Sequence, residues 1–256
     1  MKTLSLVGAA LLAAGICSAA EPFKILSYNV RHCADMNYVL SPQATAKTIA
    51  SEKARLVGLQ EMDLKTTRVK GLDEPAELAR LTGLKAAFGK AIPLPGGAYG
   101  NAILSQDEPI AVRTYPLPGR EPRVLLLAEF KDCYFGSMHL DLVEANRLAS
   151  VPIIREAVKA AAQKKPVFLC GDWNAGPNSP TLKALGSFMN VISTTKTNTF
   201  HGGSGPVAAR VAKGCVIDFI AVDKGHAEAV EVLETHVTED RQTSDHAPVS
   251  VTLKLK

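Results

Sequence analysis

The feature that most limits the possible folds is a series of short runs of apolar and β-branched residues that recurs along the chain. Several runs are continuous and do not alternate with polar residues, which is typical of strands buried on both faces of a sheet. Consecutive runs often follow each other directly, so we predict mixed sheets with helices outside them. The predicted strands are Phe23–Val30, Leu56–Gln60, Ala98–Leu104, Val124–Phe130, Tyr134–Leu140, Val167–Cys170, Val216–Val222 and Val249–Leu255.

Four helices are predicted between these strands. They run from Ser41-Pro42 towards Arg55, over Glu74–Leu81, over Val143–Lys164 and over Pro180–Ser187. Pro42 suits the first turn of the first helix, and Gly83 is expected to end the second. Pro152 lies inside the third helix and is expected to kink or split it. The chain has 256 residues, 46% of them hydrophobic, which is enough for one large α/β domain over residues 21–256.

The first 20 residues have the layout of a signal peptide. Met1-Lys2 gives a positive start, residues 4–16 are mostly apolar, and Ser18-Ala19-Ala20 offers small residues before a cleavage point. The apolar stretch is too short to span a bilayer and no other stretch is long enough, so stable membrane insertion is not expected. We predict that the mature chain begins at Glu21 and acts in the periplasm or outside the cell.

Charge and cysteine spacing argue against several classes of function. The chain carries a formal net charge of +4, and loss of Lys2 with the signal peptide would leave +3. No block of basic residues alternates with aromatic ones, as in a groove for single-stranded nucleic acid. No Cys-x-x-Cys spacing is present, so a thiolate zinc site is not expected. An oxidising compartment permits disulfides, and the sequence leaves open any pairing among Cys33, Cys133, Cys170 and Cys215.

Oxygen-bearing side chains lie at the ends of several predicted strands. Asn29 ends the first strand, Glu61 follows the second, and Asp245 precedes the last. Taken singly, each is more often a strand-end or turn residue. Together they offer the oxygen ligands that a hard cation such as Mg²⁺ prefers. They could therefore supply ligands to Mg²⁺, with Mn²⁺ as an alternative.

A second set of polar residues suits phosphate binding and proton transfer. His139 ends a predicted strand, where it could donate to a phosphate oxygen. In the motif Gly171-Asp172-Trp173-Asn174, strand alternation would place Asp172 and Asn174 on one side. A carboxylate there can orient or deprotonate water, and an amide can hold a phosphate oxygen. Trp173, between them, is expected to pack in the core.

Asp218 lies inside the apolar run Val216–Val222, where an unpaired carboxylate would be costly. An imidazole is the obvious partner. Pairing with His246 would fix the tautomer of the ring and support proton transfer. A salt bridge to a basic residue such as Arg210 is the alternative.

In this order along the chain, the motifs resemble those of the endonuclease/exonuclease/phosphatase superfamily, which has the deoxyribonuclease I-like fold. The matching motifs are Asn29, Gln60-Glu61, Gly100-Asn101, His139, Gly171-Asp172-Trp173-Asn174, Ile217-Asp218 and Ser244-Asp245-His246. Each is weak alone, but seven in one order make a specific signal. The resemblance implies an α/β fold, a four-layer α-β-β-α sandwich of two packed mixed sheets with flanking helices, and a site at one end of the sandwich.

The resemblance also implies metal-assisted in-line hydrolysis of a phosphate ester, in which Mg²⁺ neutralises developing charge. The ligands it places around the metal are Asn29, Glu61 and Asp245. The catalytic residues it implies are His139, Asp172, Asn174, Asp218 and His246. Asp218 would orient His246, and the identity of the general base stays open.

The fold does not specify which phosphate ester is cleaved. A likeness to a secreted bacterial branch of metal-dependent hydrolases favours a secreted Mg²⁺-dependent phosphodiesterase. The alternatives are a nuclease acting on DNA or RNA, a sphingomyelinase- or phospholipase C-like enzyme, and a non-catalytic binding module that kept the fold. The candidate substrate contacts are Asn101, Arg31 and Arg68, followed by Lys90 and Arg147. Each of the charged ones is more often solvated or ion-paired. The protein is expected to be a monomer.

Overall fold

Two six-stranded sheets form the centre of the molecule in the computed structural model, which describes residues 21–202 and 215–256. The predicted signal peptide and Arg210 lie outside the described residues. The strands are β1 (Phe23–Asn29), β2 (Leu56–Leu64), β3 (Lys85–Leu94), β4 (Gly97–Ser105), β5 (Ala111–Leu117), β6 (Arg123–Glu129), β7 (Tyr134–His139), β8 (Val167–Asp172), β9 (Met189–Val191), β10 (Asp218–Asp223), β11 (Val230–Val237) and β12 (Val249–Leu255).

The first sheet has the strand order β11-β12-β1-β2-β4-β3, and the second has the order β5-β6-β7-β8-β10-β9. Both sheets are mixed: β1 is parallel to β2 and β7 is parallel to β8, whereas the other pairs are antiparallel. All eight predicted strands are present. The four strands that the sequence did not predict are β3, β5, β9 and β11, which are the four sheet edges. The predicted four-layer α/β sandwich of two mixed sheets is confirmed.

The four predicted helices are also present within the described residues. They are α1 (Pro42–Glu52), α2 (Glu74–Thr82), α3 (Glu144–Ala162) and α4 (Pro180–Leu185). Gly83 ends α2 with φ of 73°, as expected of a glycine stop. The prediction that Pro152 splits the third helix is wrong, because α3 continues through it. Pro152 lies on the exposed face, where water can bind the carbonyl that lacks its intrahelical partner.

Three apolar clusters fill the spaces between the four layers. The central cluster joins the two sheets, with Leu56 on one side and Phe135 on the other. Helix α3 covers the second sheet through Ile154. Helices α1 and α2 cover the first sheet through Ile49 and Leu78. Among the described residues, no helix is long and apolar enough to cross a membrane.

The sheets approach each other closely at Gly58 in β2. A Cβ atom built there would lie 2.1 Å from Sγ of Cys170 in β8, so a larger residue would force the sheets apart. Cys170 is one of four free cysteines in the described part of the chain. The others are Cys33, Cys133 and Cys215. The permitted disulfides are therefore not formed in this structure.

Candidate active site

The topology brings the predicted site residues to one end of the sandwich. Strand β1 ends there with Asn29, the parallel strand β2 carries Glu61 there at an interruption inside the strand, and the parallel strands β7 and β8 end there with His139 and Asp172. Strand β10 is antiparallel to β8, and Asp218 at its start pairs with Asp172 at the end of β8. The segment that leads into β12 reaches the same end, because β12 is antiparallel to β1.

An imidazole held between two carboxylates forms the centre of the site. His246 Nδ1 lies 2.9 Å and 3.1 Å from the two carboxylate oxygens of Asp218. Its Nε2 lies 3.5 Å from Oδ2 of Asp172, and all three side chains are buried. Phe200 packs on the ring with the centroids 4.8 Å apart. The structure thus makes the contact between Asp218 and His246 that the sequence favoured.

Thr199 fixes the orientation of Asp218. Its hydroxyl donates to Oδ2 of Asp218 at 2.6 Å and accepts the backbone N–H groups of Ile217 and Asp218 at 3.0 Å and 3.1 Å. Its backbone carbonyl accepts the N–H of Ala247 at 2.7 Å. Thr199 therefore ties the start of β10 to the segment that carries His246. It belongs to none of the motifs that the sequence singled out.

The two carboxylates decide the charge of the ring. Burial alone lowers the pKa of His246, but the negative charges of Asp218 and Asp172 outweigh burial and raise this pKa to about 10. Burial raises the pKa of Asp172 above its ordinary range, against the opposing effect of His246. The two carboxylates therefore favour the charged form of the ring. Asp172 binds a proton more readily than an ordinary aspartate, as a general base requires.

Asn29 connects the two sheets at the site. Its Nδ2 lies 3.1 Å from Oε1 of Glu61, 3.2 Å from Oδ2 of Asp172 and 3.5 Å from Nε2 of His246. Its Oδ1 accepts the backbone N–H of Arg31 at 3.1 Å. That bond sets the amide orientation, so the NH₂ group and not the oxygen faces Glu61. To serve as the predicted metal ligand, Asn29 would have to turn its amide over.

The other two predicted metal ligands, Glu61 and Asp245, are partly buried carboxylates. Glu61 has a positive φ of 59°, where β2 shifts register against β4 between Leu59 and Met62. Burial raises the pKa of Glu61, and the charge of Asp245 adds to the effect. Arg31 Nε lies 3.8 Å from Oδ2 of Asp245. One arginine at this distance leaves most of the negative charge uncompensated.

Two groups of residues could hold a cation. Asp172, Asp218 and His246 offer ligand atoms within 4.8 Å of one another, but Asp218 and His246 already bond to each other. Glu61 and Asp245 offer oxygen atoms alone, and repulsion from Asp245 disfavours the charged form of Glu61. A divalent cation would remove that repulsion, and oxygen is the ligand atom that hard cations prefer. The residues present therefore fit a hard divalent cation on the Glu61 side of the site.

His139 and Asn174 face the same centre from the second sheet. Nδ2 of Asn174 lies 3.0 Å from Nε2 of His139, and that Nε2 lies 3.4 Å from Oδ2 of Asp172. Burial and the positive charges of Arg123 and His246 hold the pKa of His139 well below its ordinary value. The surroundings therefore favour the neutral form of His139 and the charged form of His246. The two imidazoles can serve different functions.

The backbone around Gly171 explains why Asp172 and Asn174 meet. Gly171 has φ of 149°, and a Cβ atom there would lie 1.8 Å from the carbonyl oxygen of Met138, so glycine is required. Asn174 has φ of 48°, so strand alternation does not continue to it. A turn places its N–H 2.9 Å from Oδ1 of Asp172 instead. Trp173 is fully buried, as the packing interpretation predicted.

Two of the predicted substrate-binding residues, Arg68 and Asn101, form hydrogen bonds with other residues of the protein. Arg68 donates from Nε and Nη2 to the two carboxylate oxygens of Asp63 at 2.6 Å and 2.7 Å, and 44% of its side chain remains exposed. Asn101 is buried, and its amide donates to the carbonyls of Val124 and Ser137 at 2.8 Å and 3.4 Å. Asn101 thus links the two sheets beside the site.

The remaining charged candidates differ in position. Arg147 is buried and donates to the backbone carbonyls of Asp141 and Leu142 at 3.0 Å and 2.7 Å, which is a structural arrangement. Lys90 is exposed on the edge strand β3. Of these three residues, it is Arg31 that contacts a predicted metal ligand, Asp245.

Sequence reasoning also missed Arg123, a buried cation at the site. Arg123 begins β6 with 8% of its surface exposed. Its Nη1 donates to Oε1 of Glu121 at 2.7 Å and lies 3.5 Å from Nδ1 of His139. In the sequence it is a single arginine in no motif. The one available signal was a charged residue at the start of an apolar run.

The site thus gathers a buried imidazolium, a carboxyl with a raised pKa, two amides and a neutral imidazole around one point. Donors of this kind can stabilise negative charge on phosphate oxygens, while a carboxylate with a raised pKa accepts a proton from water. Two further carboxylates beside them fit a divalent cation. The combination suits hydrolysis of a phosphate ester.

Comparison with known proteins gives the family. The sequence model of the endonuclease/exonuclease/phosphatase family matches residues 26–246. The uncharacterized protein YbhP of Escherichia coli K12 is 28% identical over 180 residues, which cover 66% of this chain and 68% of YbhP. An endonuclease/exonuclease/phosphatase from Bacteroides vulgatus has a TM-score of 0.75 at 18% identity, covering 92% of this chain and all of that one.

A mannosyl-6-phosphatase from Bacteroides thetaiotaomicron has a TM-score of 0.68 at 16% identity, covering 90% of this chain and 99% of that one. At such identities the structural likeness shows the fold. The sequence model, in contrast, spans most of the chain and includes every predicted site residue from Asn29 to His246. The protein therefore belongs to the endonuclease/exonuclease/phosphatase family, whose members hydrolyse phosphate esters.

Proposed function

We propose that the protein is a secreted, Mg²⁺-dependent phosphoester hydrolase that prefers phosphodiesters. The observation that carries the proposal is the buried series Asp218–His246–Asp172, which places a charged imidazole 3.5 Å from a carboxyl that readily takes up a proton. The membership in a family of phosphoester hydrolases supports the same conclusion.

In the proposed reaction, Asp172 orients the attacking water and takes its proton as the water oxygen bonds to phosphorus. The bond from phosphorus to the leaving oxygen breaks on the opposite side, and the leaving oxygen takes a proton from solvent. The N–H groups of Asn29 and Asn174 hold the carboxylate and the phosphate in place. His246 Nε2 lies too close to Asp172 for the two groups to act on opposite sides of an in-line displacement. We therefore assign His246 to stabilise a phosphoryl oxygen and not to protonate the leaving group. Asp218 keeps its Nε2–H directed at that oxygen.

A bound Mg²⁺ would supply charge neutralisation at a phosphate oxygen. Glu61 and Asp245 are the residues that would hold it. Their partial burial and mutual repulsion support this assignment. Mn²⁺ offers similar ligand preferences and is expected to substitute for Mg²⁺.

The ion pairs of the arginines around the site favour a phosphodiester. Arg31 faces Asp245, Arg68 is paired bidentately with Asp63, and Arg123 is paired with Glu121. The guanidinium charges of Arg68 and Arg123 are thus already offset by carboxylates at 2.6 Å and 2.7 Å, whereas Arg31 is only loosely paired. A phosphodiester carries one negative charge, whereas a phosphomonoester carries up to two, so the diester needs fewer free cations. The same pairing argues against a polyanion such as DNA or RNA, which needs unpaired basic residues.

The central experiment measures metal-dependent turnover by the purified protein. Bis(p-nitrophenyl) phosphate, p-nitrophenyl phosphate, DNA, RNA and sphingomyelin are compared with Mg²⁺, Mn²⁺ and EDTA. Asp172→Asn and His246→Gln should each lower turnover by about 10²–10⁴-fold. Absence of metal-dependent turnover on every substrate would refute the enzyme proposal. Faster cleavage of the monoester than of the diester would refute the stated preference.

The chain offers a matched control for His246. His226 Nδ1 lies 2.9 Å from Oδ2 of Asp223, the same separation as in the His246–Asp218 pair. Asp223 is the last residue of β10 and Asp218 is its first, so this second pair lies at the opposite end of the sheet. His226→Gln should leave turnover unchanged. An equal loss in His226→Gln and His246→Gln would show that the effect comes from stability and not from chemistry.

Secretion is tested separately from activity. The full-length chain is expressed with its first 20 residues, and the periplasmic and external fractions are analysed by intact-mass spectrometry. The expected product begins at Glu21. A cytoplasmic product that retains Met1–Ala20 would refute secretion and leave the proposed chemistry untouched.

A further inference from the structure

Arg123 is buried at the site in a way that a merely structural arginine does not require. Its Nη1 makes every hydrogen bond described for the side chain: to Glu121 Oε1 at 2.7 Å, to Tyr99 Oη at 3.3 Å and to His139 Nδ1 at 3.5 Å. Its Nε is buried without a partner among the described residues. A buried cation with an unused donor costs stability, so its position needs another explanation.

The two ring nitrogens of His139 both face donors. Arg123 Nη1 is on the Nδ1 side at 3.5 Å, and Asn174 Nδ2 is on the Nε2 side at 3.0 Å. A neutral imidazole has one N–H and one acceptor nitrogen. It can therefore accept a hydrogen bond from only one of these two neighbours. The position of the proton on His139 depends on which neighbour stops donating a hydrogen bond to the ring.

Asn174 is the neighbour that can give up its hydrogen bond to the ring. Its amide has a second acceptor, the carbonyl of Leu140 at 2.9 Å, and a hydrogen bond on that side holds the group when the other N–H is released. Arg123 cannot give up its hydrogen bond in this way. A guanidinium has no acceptor and stays protonated; one Nη1 hydrogen is held by Glu121 at 2.7 Å, and the other is shared between Tyr99 at 3.3 Å and Nδ1 of His139 at 3.5 Å.

An acceptor for the opposite proton position is also present. Oδ2 of Asp172 lies 3.4 Å from Nε2 of His139, so a hydrogen on Nε2 would point towards a carboxylate and the centre of the site. A hydrogen on Nδ1 would point at the Arg123 guanidinium. We propose that Arg123 is a positioning residue that fixes the proton of His139 on Nε2, so that His139 donates a hydrogen bond to the substrate phosphate.

The donor role of His139 rests on the proposed phosphoester hydrolysis, whereas the position of the proton does not. With Nε2–H in place, the released N–H of Asn174 and the ring of His139 both donate towards the phosphate. With Nδ1–H, His139 would instead present a lone pair to a phosphate oxygen and repel it. Arg123 therefore makes the two side chains act as donors together.

The first test reads the tautomer of His139 directly. The purified protein is labelled with ¹⁵N-histidine, and two-bond ¹⁵N–¹H correlation spectra distinguish Nε2–H, Nδ1–H and doubly protonated rings. His139 is assigned by the resonance that disappears in His139→Asn. The expected result is the Nε2–H tautomer in the unchanged protein. The Nδ1–H tautomer or a doubly protonated ring in the unchanged protein would overturn the proposal.

The second test removes the guanidinium. Arg123→Met should shift His139 towards Nδ1–H, because Asn174 then offers the sole donor, and Arg123→Lys should restore part of the Nε2–H population. Arg120→Met is the matched control, since Arg120 is an exposed arginine three residues away. It should leave the spectrum unchanged. An identical His139 tautomer in Arg123→Met and in the unchanged protein would overturn the proposal.

Kinetics then separates positioning from binding. Arg123→Met should lower kcat by about 10–100-fold with a smaller change in KM, because the hydrogen bond from His139 is strongest in the transition state. Arg123→Lys should recover part of kcat. If the protein shows no turnover at all, the proposed function fails while the spectra still decide the tautomer. A loss confined to KM would overturn the positioning role.

Discussion

Replacing Glu74 with glutamine should remove a pH-dependent loss of stability. Glu74 begins α2 and is fully buried, with Oε2 accepting the N–H of Asp63 at 2.7 Å and Oε1 unpaired among the described residues. Burial raises the pKa of Glu74 to about 8, with the charge of Asp63 adding to the effect and Arg68 opposing it. The folded protein therefore keeps this proton at pH values where the unfolded chain has lost it.

The direction and size of the effect follow from proton linkage. In the unfolded chain Glu74 titrates near the ordinary glutamate pKa of 4.5. Between that pH and about 8 the folded state binds more protons, so the free energy of unfolding falls as the pH rises and levels off above 8. The full shift corresponds to about 5 kcal/mol, of which about 3.5 kcal/mol falls between pH 5 and pH 8. Glutamine does not titrate and can still accept the N–H of Asp63.

Urea unfolding at pH 5, 6, 7 and 8 measures the effect as a difference between variants, which cancels the other titrating groups. The free energy of unfolding of Glu74→Gln, relative to that of the unchanged protein, should rise by about 2–4 kcal/mol from pH 5 to pH 8. Glu77→Gln is the control, because Glu77 lies in the same helix in a solvent-accessible pair with Arg80. It should show no such gain. A flat difference for Glu74→Gln, or one that favours the unchanged protein as the pH rises, would refute the reasoning.

Three further predictions concern the site and the contact between the sheets. Asp218→Asn should lower kcat by about 10²–10⁴-fold with an unchanged circular dichroism spectrum, because His246 loses the carboxylate that orients it; a loss below tenfold would contradict this. Thr199→Ala should lower kcat by about tenfold and Thr199→Ser should recover it, since the hydroxyl holds Asp218; equal kcat in both variants would count against that role. Gly58→Ala should cost about 1–3 kcal/mol in urea unfolding, and adding Cys170→Ala should recover most of the loss; additive costs would contradict the proposed steric contact.

The sequence predicted the interior of both sheets and none of their edges. Strands such as β6 and β8 are buried on both faces and show continuous apolar runs. Edge strands lack that constraint. In β11, four consecutive residues from Glu231 to Glu234 are exposed, and β5 alternates weakly. These strands are specified by hydrogen bonds to an inner neighbour, which a single sequence does not reveal.

The same difference applies to the site. Motif residues such as Asp172 and His246 could be predicted because each follows or precedes a recognisable strand. Thr199 and Arg123 lie in no motif, and they act through Asp218 and His139 respectively. Their roles depend on distances across the fold, between residues 16 or more positions apart. Chain order alone cannot give such distances.

Backbone conformation explains why the sequence indicated Glu61 and Asn174 as site residues but not the directions of their side chains. Both have φ near 50–60°, in the left-handed region that non-glycine residues avoid at a cost of about 1–3 kcal/mol. A period-two pattern cannot anticipate either position, because each lies where strand geometry is interrupted. The cost is tolerated because neighbouring strands are fixed by the core on either side of each residue. In return, the side chains leave the sheet surface and turn towards the end of the sandwich. A regular strand would have directed Glu61 into a face of the sheet, away from Asn29 and from Asp245. The irregular backbone at Glu61, inside β2, and at Asn174, just after β8, therefore directs both side chains to the same site.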